Sequence, residues 1–378
     1  MKIIHICQIS TKGGGIESVV ENLLISLQKS GYQTELIGFK PPTSSISTDT
    51  YIEITKTNNR WIYLLKLWVA APFLKIKPED IIHGHRLDDM LPFVLFHRLN
   101  HKVCSLHGVT LKSVKIKNSK IIATVYELVE KITLKRLYHQ KSLLIAVDAK
   151  TKNHYEARYP WLKGKICVIP VGIDTSRFLP LDKRKMRLKY NMKQDSHIVI
   201  YVGRLEKEKN LGFLIRTFEL VKKRIINAEL ILVGDGRERI SLEKLVHDLH
   251  LSAAVHFMGS KKYSEIPEIL NCADVLALCS QFEGSPNVVK EAIACGIPVV
   301  STDVGDVSLT VSDEHLGKIV IEDESYFANT IIYYLLKEGK DRMAIVESSK
   351  KYGVKQMAFA TLSVYEHFAD KWEIQHFS

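Results

Sequence analysis

Apolar positions along this chain fall into two alternating patterns. Short continuous runs such as residues 198–202 alternate with longer stretches, such as 211–225, in which apolar residues recur every three or four positions. The first pattern suits a strand covered on both faces, the second a helix with one apolar side. In chain order the pattern predicts strand 3–8, helix 16–29, strands 34–38 and 81–84, helix 87–99, strands 102–106 and 143–147, helix 149–158 and strand 166–170. Residues 182–193 are basic and show no period, and after them the alternation restarts. Strand 198–202, helix 211–225, strand 229–233, helix 240–249, strand 254–258, helix 265–270, strand 275–278, helix 287–294 and strand 298–301 follow. Strands separated by helices predict an α/β fold of doubly wound, mainly parallel sheets, here two of them joined near Val171. Open sheets of this kind bind ligands beyond the carboxyl ends of their strands, so a cleft between the two domains is the expected site.

The bulk numbers agree with two domains. A length of 378 residues exceeds what one core usually organises, and 46% hydrophobic with 25% charged residues is ordinary globular composition. The longest apolar stretch, 61–74, has 14 residues and contains Lys66, too short and too polar for a bilayer span of about 20. Residues 1–10 read as a strand rather than an export signal, so a cytoplasmic protein is expected. Six cysteines form no CxxC pair, and five sit in apolar surroundings, which points to reduced thiols rather than disulfides or a metal site. The net charge of +11 is uneven. Residues 101–200 carry 21 Lys and Arg against 7 Asp and Glu, whereas 251–350 carry 8 against 15. A basic region attracts nucleic acid, anionic lipid or phosphorylated substrates, and it is equally a solvated lysine-rich face. No nucleic-acid-binding motif accompanies it, so nucleic acid is not expected as a partner.

Three segments carry candidate chemistry. Lys12-Gly13-Gly14-Gly15-Ile16-Glu17 joins the first strand to the first helix, where glycines let backbone N–H groups approach a phosphate; read alone it is equally a tight turn. It does not continue as G-x-G-x-x-G, because Ser18 stands at the sixth position, which disfavours a dinucleotide site. Gly203-Arg204-Leu205-Glu206-Lys207-Glu208-Lys209 follows a buried-looking strand and offers a guanidinium fork and an ammonium where a diphosphate would lie. Read alone it is equally a charged surface loop. The third segment, Glu283-Gly284-Ser285-Pro286-Asn287-Val288-Val289-Lys290-Glu291, sets one carboxylate in a loop and another on a helix. Gly284 and Pro286 shape the turn, the backbone of Ser285, Pro286, Asn287 and Val288 forms a further anion site, and a carboxylate suits a ribose diol.

Taken together and in this order, G-G-x-E, G-R-x4-K and E-x7-E resemble the signature of the retaining glycosyltransferases of family 4, also called group 1. The similarity runs over almost the whole chain and is strongest over 201–303. The resemblance implies the GT-B fold: two facing Rossmann-like domains with an interdomain cleft. It implies an N-terminal acceptor-side domain of residues 1–171 plus 357–378, since the family sends its last helix back to that domain, and a nucleotide-sugar-binding domain of 172–356. Arg204 and Lys209 match the positions that hold the donor diphosphate, Glu291 the ribose ligand, and Glu283 the contact to the transferred sugar. Gly14 and Gly15 match glycines that close over the phosphates. Met258-Gly259-Ser260 resembles the turn that seats the base through its backbone, which assigns Gly259. His107, in Ser105-Leu106-His107-Gly108, looks like the family's cleft histidine that contacts the donor sugar and helps to stabilise the reacting centre. His83-Gly84-His85 resembles the family's H-x-H strand end, read here as structural. Two positions depart from the pattern: Val171 stands where the interdomain I-P-N-G-I-D segment has asparagine, and Val147-Asp148-Ala149 replaces a V-S-E type sequence.

The expected reaction is retaining transfer of a hexosyl-type sugar from a nucleotide-sugar, a UDP-sugar ahead of a GDP-sugar. The acceptor would be a glycan or lipid-linked molecule in cell-envelope polysaccharide synthesis, such as lipopolysaccharide, O-antigen or capsule. No D-x-D motif falls in a suitable loop, since Asp303 and Asp306 are wrongly spaced, so no metal and no cofactor beyond the donor substrate are expected. Residues 58–77 and 112–141 mix Lys and Arg with Trp, Leu, Ile and Tyr, which suits peripheral attachment to the inner, anionic face of the cell membrane. The alternatives are a sugar-nucleotide epimerase of similar fold, which needs acid and base groups at other positions, and a catalytically silent nucleotide-sugar-binding partner, against which the intact motif residues count.

Overall fold

The computed structural model describes residues 1–8, 15–39, 51–55, 59–111, 114, 120–339 and 341–376. The chain forms two compact units, Met1–Gly172 with Val354–Ser378 and Ile173–Gly353. In the first unit the strands are β1 (Ile3–Cys7), β2 (Thr34–Phe39), β3 (Tyr51–Thr55), β4 (Ile81–Gly84), β5 (His101–Leu106), β6 (Ser142–Ala146) and β7 (Ile166–Val168). They pair in parallel in the order β3-β2-β1-β4-β5-β6-β7, with Ile3 beside both Thr34 and Ile81. The helices are α1 (Gly15–Lys29), α2 (Arg60–Ala70), α3 (Leu87–Phe96), α4 (Lys120–Tyr138) and α5 (Ala149–Arg158).

The two-residue period of each strand explains the layers. Ile4, Ile6, Ile82, Cys104, Leu106 and Leu144 face one core, shared with Tyr63 and Leu67 of α2, Met90 and Phe93 of α3, Leu134 of α4 and Tyr155 of α5. Ile3, Ile81, Val103 and Ile145 face the other, beneath Val19 and Leu23 of α1 and beneath Met357, Tyr365 and Phe368 of the last helix. Three polar residues stand in phase with this second set: His5, His83 and Ser105, all buried. His83 accepts or donates on both ring nitrogens, at 2.5 Å to the Tyr365 hydroxyl and 2.8 Å to Ser105 Oγ, and so ties the last helix to the sheet.

The second unit holds α6 (Lys183–Lys189), β8 (His197–Val202), α7 (Leu211–Arg224), β9 (Ala228–Val233), α8 (Arg239–Asp248), β10 (Val255–Gly259), α9 (Ile266–Leu270) and β11 (Val275–Leu278). These are followed by α10 (Asn287–Ala294), β12 (Val299–Ser301), α11 (Val307–Thr310), β13 (Gly317–Ile319), α12 (Glu324–Leu336) and α13 (Arg342–Glu347). The six strands are again parallel, in the order β10-β9-β8-β11-β12-β13. The chain then returns to the first unit as α14 (Val354–His376). In both sheets the winding reverses once, between β1 and β4 and between β8 and β11, and the crossovers there leave to opposite faces.

Eight helices and strands among the described residues fall outside the sequence-based expectation: α2, α4, α6, α11, α12, α13, β3 and β13. Residues 182–193 contain α6, capped by Asp182, which accepts from the Lys185 amide at 3.1 Å. Its anchor is ionic rather than apolar: Arg187 and Lys183 reach Asp274 at 2.8 and 2.6 Å, and Asp274 also accepts from the Ile198 amide. A two-turn helix held this way leaves no hydrophobic period to read. β3 and β13 lie at sheet edges and are short, so their alternation is equally faint.

Candidate active site

In the second unit the motif residues gather where β8 and β11 end, at the reversal point of the sheet. Gly203 follows β8 so closely that a Cβ there would lie 2.6 Å from the Tyr201 hydroxyl, which donates to the Arg204 carbonyl at 3.0 Å. Gly234, at φ +133° after β9, passes against the Gly203 carbonyl, 1.9 Å from where its Cβ would stand. The Leu205 amide donates to Asp235 O, the Glu238 amide to Leu205 O, and the Gly234 amide to Gly259 O, at 2.9–3.0 Å. The loops after β8, β9 and β10 are thereby stitched into one rim, and Gly259, at φ +67°, closes it. A 3₁₀ turn, Lys207–Lys209, ends at Asn210 in the left-handed region and swings Lys209 back over the strand ends.

There Lys209 Nζ meets Glu283 Oε1 in an ion pair, with side-chain exposures of 13% and 16%. Ser280 donates to the same carboxylate oxygen at 2.9 Å. Arg204 extends outward, 64% exposed, its guanidinium 3.7 Å from the Glu208 carboxylate and thus beyond hydrogen-bond reach of it. The geometry sets two cations and one carboxylate around the strand ends, a suitable cradle for a phosphorylated polar ligand.

Helix α10 begins behind Pro286, which occupies the cap position without any side-chain cap. One detail of the expected anion site changes: Pro286 carries no N–H, so any amides directed at a ligand belong to its neighbours. The Ser285 hydroxyl is also committed inward, donating to Asp306 Oδ2 at 2.8 Å and accepting from Lys290 Nζ at 2.6 Å. Lys290 is fully buried and pairs with Asp306 at 2.8 Å beneath the loop. Gly305, at φ +53°, lets the chain pass against the Gly284 carbonyl, 1.8 Å from where a Cβ would stand. Asn287 and Val288 form the first turn of α10, Val288 packing partly on the core. Glu291, one turn on, points into the protein; burial pushes its carboxyl up to about 7, partly offset by Tyr263, which donates to it at 3.1 Å. Arg177 stacks over the Tyr263 ring at 5.4 Å. Lys290 and Tyr263 were not singled out from the sequence, and Asp306 was weighed there only as a metal ligand. Lys290 lay inside the E-x7-E segment and could have been found as a lysine on the apolar side of a helix.

In the first unit, Gly15 opens α1, whereas Gly14 lies outside the described residues. His107 follows β5 and is half-buried, its Nε2 3.3 Å from His85 Nδ1. Burial, with a smaller contribution from Arg86, pushes His107 down to about 4, so the ring is neutral near pH 7. His83 and His85 are held well below the ordinary histidine value, chiefly by burial. His5, His83 and His85 bring one ring nitrogen each within 4.8 Å of the others. Both His83 nitrogens already have partners in Tyr365 and Ser105, which agrees with a structural role. Asp148 caps α5, accepting from the Thr151 amide and hydroxyl at 2.7 Å, so this departure from the family pattern serves the helix.

The sequence model of the glycosyl transferases group 1 family matches residues 182–352, and that of glycosyltransferase family 4 matches 13–177. The chain spans about half the length of the first curated relatives it matches, 56%, 46% and 43%. A further relative is the UDP-Gal:alpha-D-GlcNAc-diphosphoundecaprenol alpha-1,3-galactosyltransferase of Escherichia coli, 27% identical over 290 residues, covering 74% of this chain and 71% of that one. Among solved structures, sucrose-phosphate synthase from Thermosynechococcus elongatus superposes with a TM-score of 0.80 at 20% identity, over 98% of this chain and 100% of that one. Anabaena Alr3699/HepE in complex with UDP-glucose gives 0.75 at 18% identity, over 96% and 100%. The two sheets have the Rossmann-like order of such GT-B folds, and both family models match in sequence order. The chain belongs to the glycosyltransferases of family 4, group 1.

Proposed function

We propose that this chain transfers a hexosyl-type sugar from a nucleotide-sugar, of the UDP series first and the GDP series next, to a glycan or lipid-linked acceptor of a cell-envelope polysaccharide. The observation that carries this reading is the Lys209–Glu283 pair at the reversal point of the second sheet, with Arg204 unfolded beside it and Glu291 one helix turn away. Lys209 and Arg204 take the diphosphate, and Glu291 accepts from the ribose hydroxyls. Glu283, freed from Lys209 as the diphosphate arrives, holds the sugar. His107, just past β5, is a further residue proposed to contact substrate. The leaving group is already good, so the protein's task is to stabilise charge growing on the diphosphate as the sugar becomes oxocarbenium-like. The acceptor oxygen bonds to the anomeric carbon on the face that the diphosphate leaves, and the departing phosphate oxygen takes the acceptor proton. Configuration is retained without a covalent intermediate, and the two cations do the work a metal would otherwise do.

Two exposed apolar stripes support a lipid-linked acceptor. Trp61, Ile62, Leu65 and Val69 lie on the outside of α2, with Phe73 just beyond, and Ile121, Val125, Leu128 and Ile132 run along α4. Lys66, Lys75, Lys120, Lys131 and Lys135 are exposed among them. No helix among the described residues is long and apolar enough to cross a membrane, so such a surface would rest on lipid rather than span it. Residues 112–113 and 115–119, part of the basic stretch preceding α4, lie outside the described residues.

The test is a panel of UDP-, GDP-, ADP- and dTDP-sugars, scored by thermal stabilisation and by slow release of free nucleotide, with and without EDTA. Stabilisation by one nucleotide series with EDTA-insensitive release is expected. Silence towards the whole panel would end the proposal.

A further inference from the structure

Beneath His107 runs a row of imidazoles from three neighbouring strands. His5 Nδ1 on β1 lies 3.0 Å from His85 Nε2, just past β4, and His85 Nδ1 lies 3.3 Å from His107 Nε2, just past β5. His5 and His85 are buried, and His5 Nε2 has no hydrogen-bond partner among the described residues. Burial keeps all three rings neutral at pH 7: His5 is pushed down to about 3, His107 to about 4, and His85 well below the ordinary value. A neutral imidazole carries one N–H and one lone pair. Each contact in the row therefore joins one donor to one acceptor, and the direction of the first sets all the rest.

Only two arrangements satisfy both contacts. In one, His5 Nδ1–H donates to His85 Nε2, His85 Nδ1–H donates to His107 Nε2, and the proton of His107 sits on Nδ1. In the other every donor is reversed, and the N–H of His5 Nε2 is left buried without an acceptor. A buried N–H without an acceptor is a rarer and costlier defect in folded proteins than a buried lone pair without a donor. That asymmetry selects the first arrangement. A metal ion among His5, His83 and His85 is disfavoured by the same contacts, because it would have to displace one of the two hydrogen bonds of His85 and one of the two that hold His83 to Tyr365 and Ser105.

We propose that His5 and His85 are positioning residues that lock His107 in its Nδ1–H tautomer, so that His107 meets the substrate as a neutral hydrogen-bond donor. Its partner is then an oxygen that accepts, such as a sugar hydroxyl or a phosphoryl oxygen. The consequence for substrate rests on the reading of His107 as a substrate contact; the tautomer itself does not.

The experiment is ¹⁵N NMR of the full chain labelled at histidine, without ligand at pH 7. The expected spectrum has His107 Nδ1 protonated and Nε2 bare, the reverse of the tautomer that an unconstrained histidine side chain prefers in water. In His85→Phe the His107 proton should move to Nε2, and kcat should fall about tenfold with KM little changed, the signature of a misplaced proton at a reacting centre. His85→Asn, whose amide nitrogen can stand where Nδ1 stood, should restore both the tautomer and kcat. A wild-type His107 protonated on Nε2 would overturn the proposal without need of any variant. So would a His107 tautomer indifferent to His85→Phe in a folded protein, or Zn²⁺ at micromolar concentration shifting the ring signals of His5, His83 and His85 together. An Nδ1–H His107 in a protein that turns over no sugar nucleotide would leave the relay standing and remove the transferase reading instead.

Discussion

Glu291 is the residue whose protonation should matter most. Its folded value of about 7 stands above the ordinary 4.5, so the folded state holds a proton that the unfolded chain has released between those pH values. Its contribution to stability is fully present below pH 4.5 and is lost as pH rises through 7; the whole difference corresponds to about 3 kcal/mol. Glu291→Gln keeps an acceptor for Tyr263 and removes the charge, so it should be more stable than wild type at pH 8 and equal to it near pH 4.5. Urea unfolding at the two pH values reads this directly. In its proposed role Glu291 accepts from ribose hydroxyls as the ionised carboxylate, so affinity for an intact UDP-sugar should fall about tenfold for each pH unit below 7. In Glu291→Gln calorimetry should find no such slope. In the proposed mechanism Arg204 and Glu283 act in the transition state, so Arg204→Ala and Glu283→Gln should each lower kcat about a hundredfold or more, the loss of one preorganised group worth about 3 kcal/mol. Unchanged turnover in either would remove that residue from the mechanism. Motif spacing made Arg204, Lys209, Glu283 and Glu291 legible in the sequence, because the chain itself carries them to neighbouring strand ends. Tyr263 and His5 were not legible, because their partners lie far off in the sequence and nothing local marks a tyrosine in a loop or a histidine within an apolar strand.

At the scale of elements, the loop 283–286 and helix α10 are held from below by Lys290, Asp306 and Ser285. Breaking a buried pair by removing one partner costs about 3–5 kcal/mol, because the remaining charge is stranded. Lys290→Met should therefore lower stability by about that amount, and adding Asp306→Asn should recover more than half of it. Chemical denaturation of the two variants decides; a single variant as stable as wild type would mean that the pair contributes nothing. Most of the helices and strands could be read from apolar periodicity, since both sheets are covered on two faces and their strands are continuous apolar runs. Helix α6 could not, because its contacts to Asp274 are charges, and a salt bridge to a residue almost ninety positions away leaves no local trace. The edge strands β3 and β13 escaped for a different reason: a strand with one neighbour needs fewer apolar residues.

On the scale of the molecule, the stripes on α2 and α4 lie within the first unit, and the residues proposed to bind the diphosphate lie within the second. This division predicts that lipid binding and donor binding can be altered independently. Leu65→Lys with Val69→Glu, both at exposed positions, should reduce flotation with vesicles rich in anionic lipid by about tenfold while leaving UDP-sugar affinity unchanged. Equal flotation of variant and wild type, or flotation indifferent to anionic lipid, would remove the membrane surface from the proposal. The anchor of α2 lies on its inner side, where Arg60 donates to Asp88 at 2.5 Å and Asp89 at 2.6 Å, so the outer face can be changed without loosening the helix.

The return of α14 to the first sheet has a consequence for how the protein is made. Residues 354–376 emerge from the ribosome some 180 residues after the rest of their unit ends at Gly172, a delay of about 10–35 seconds at ordinary elongation rates. Through that interval Ile81, Val103 and Ile145 have only part of their lid, while the contiguous second unit has everything it needs to fold. The nascent chain therefore matures back to front, its first-synthesised half finishing last. A chaperone that shields apolar surface on ribosome-bound chains should find its binding site on the earlier half and lose it when Tyr365 and Phe368 arrive.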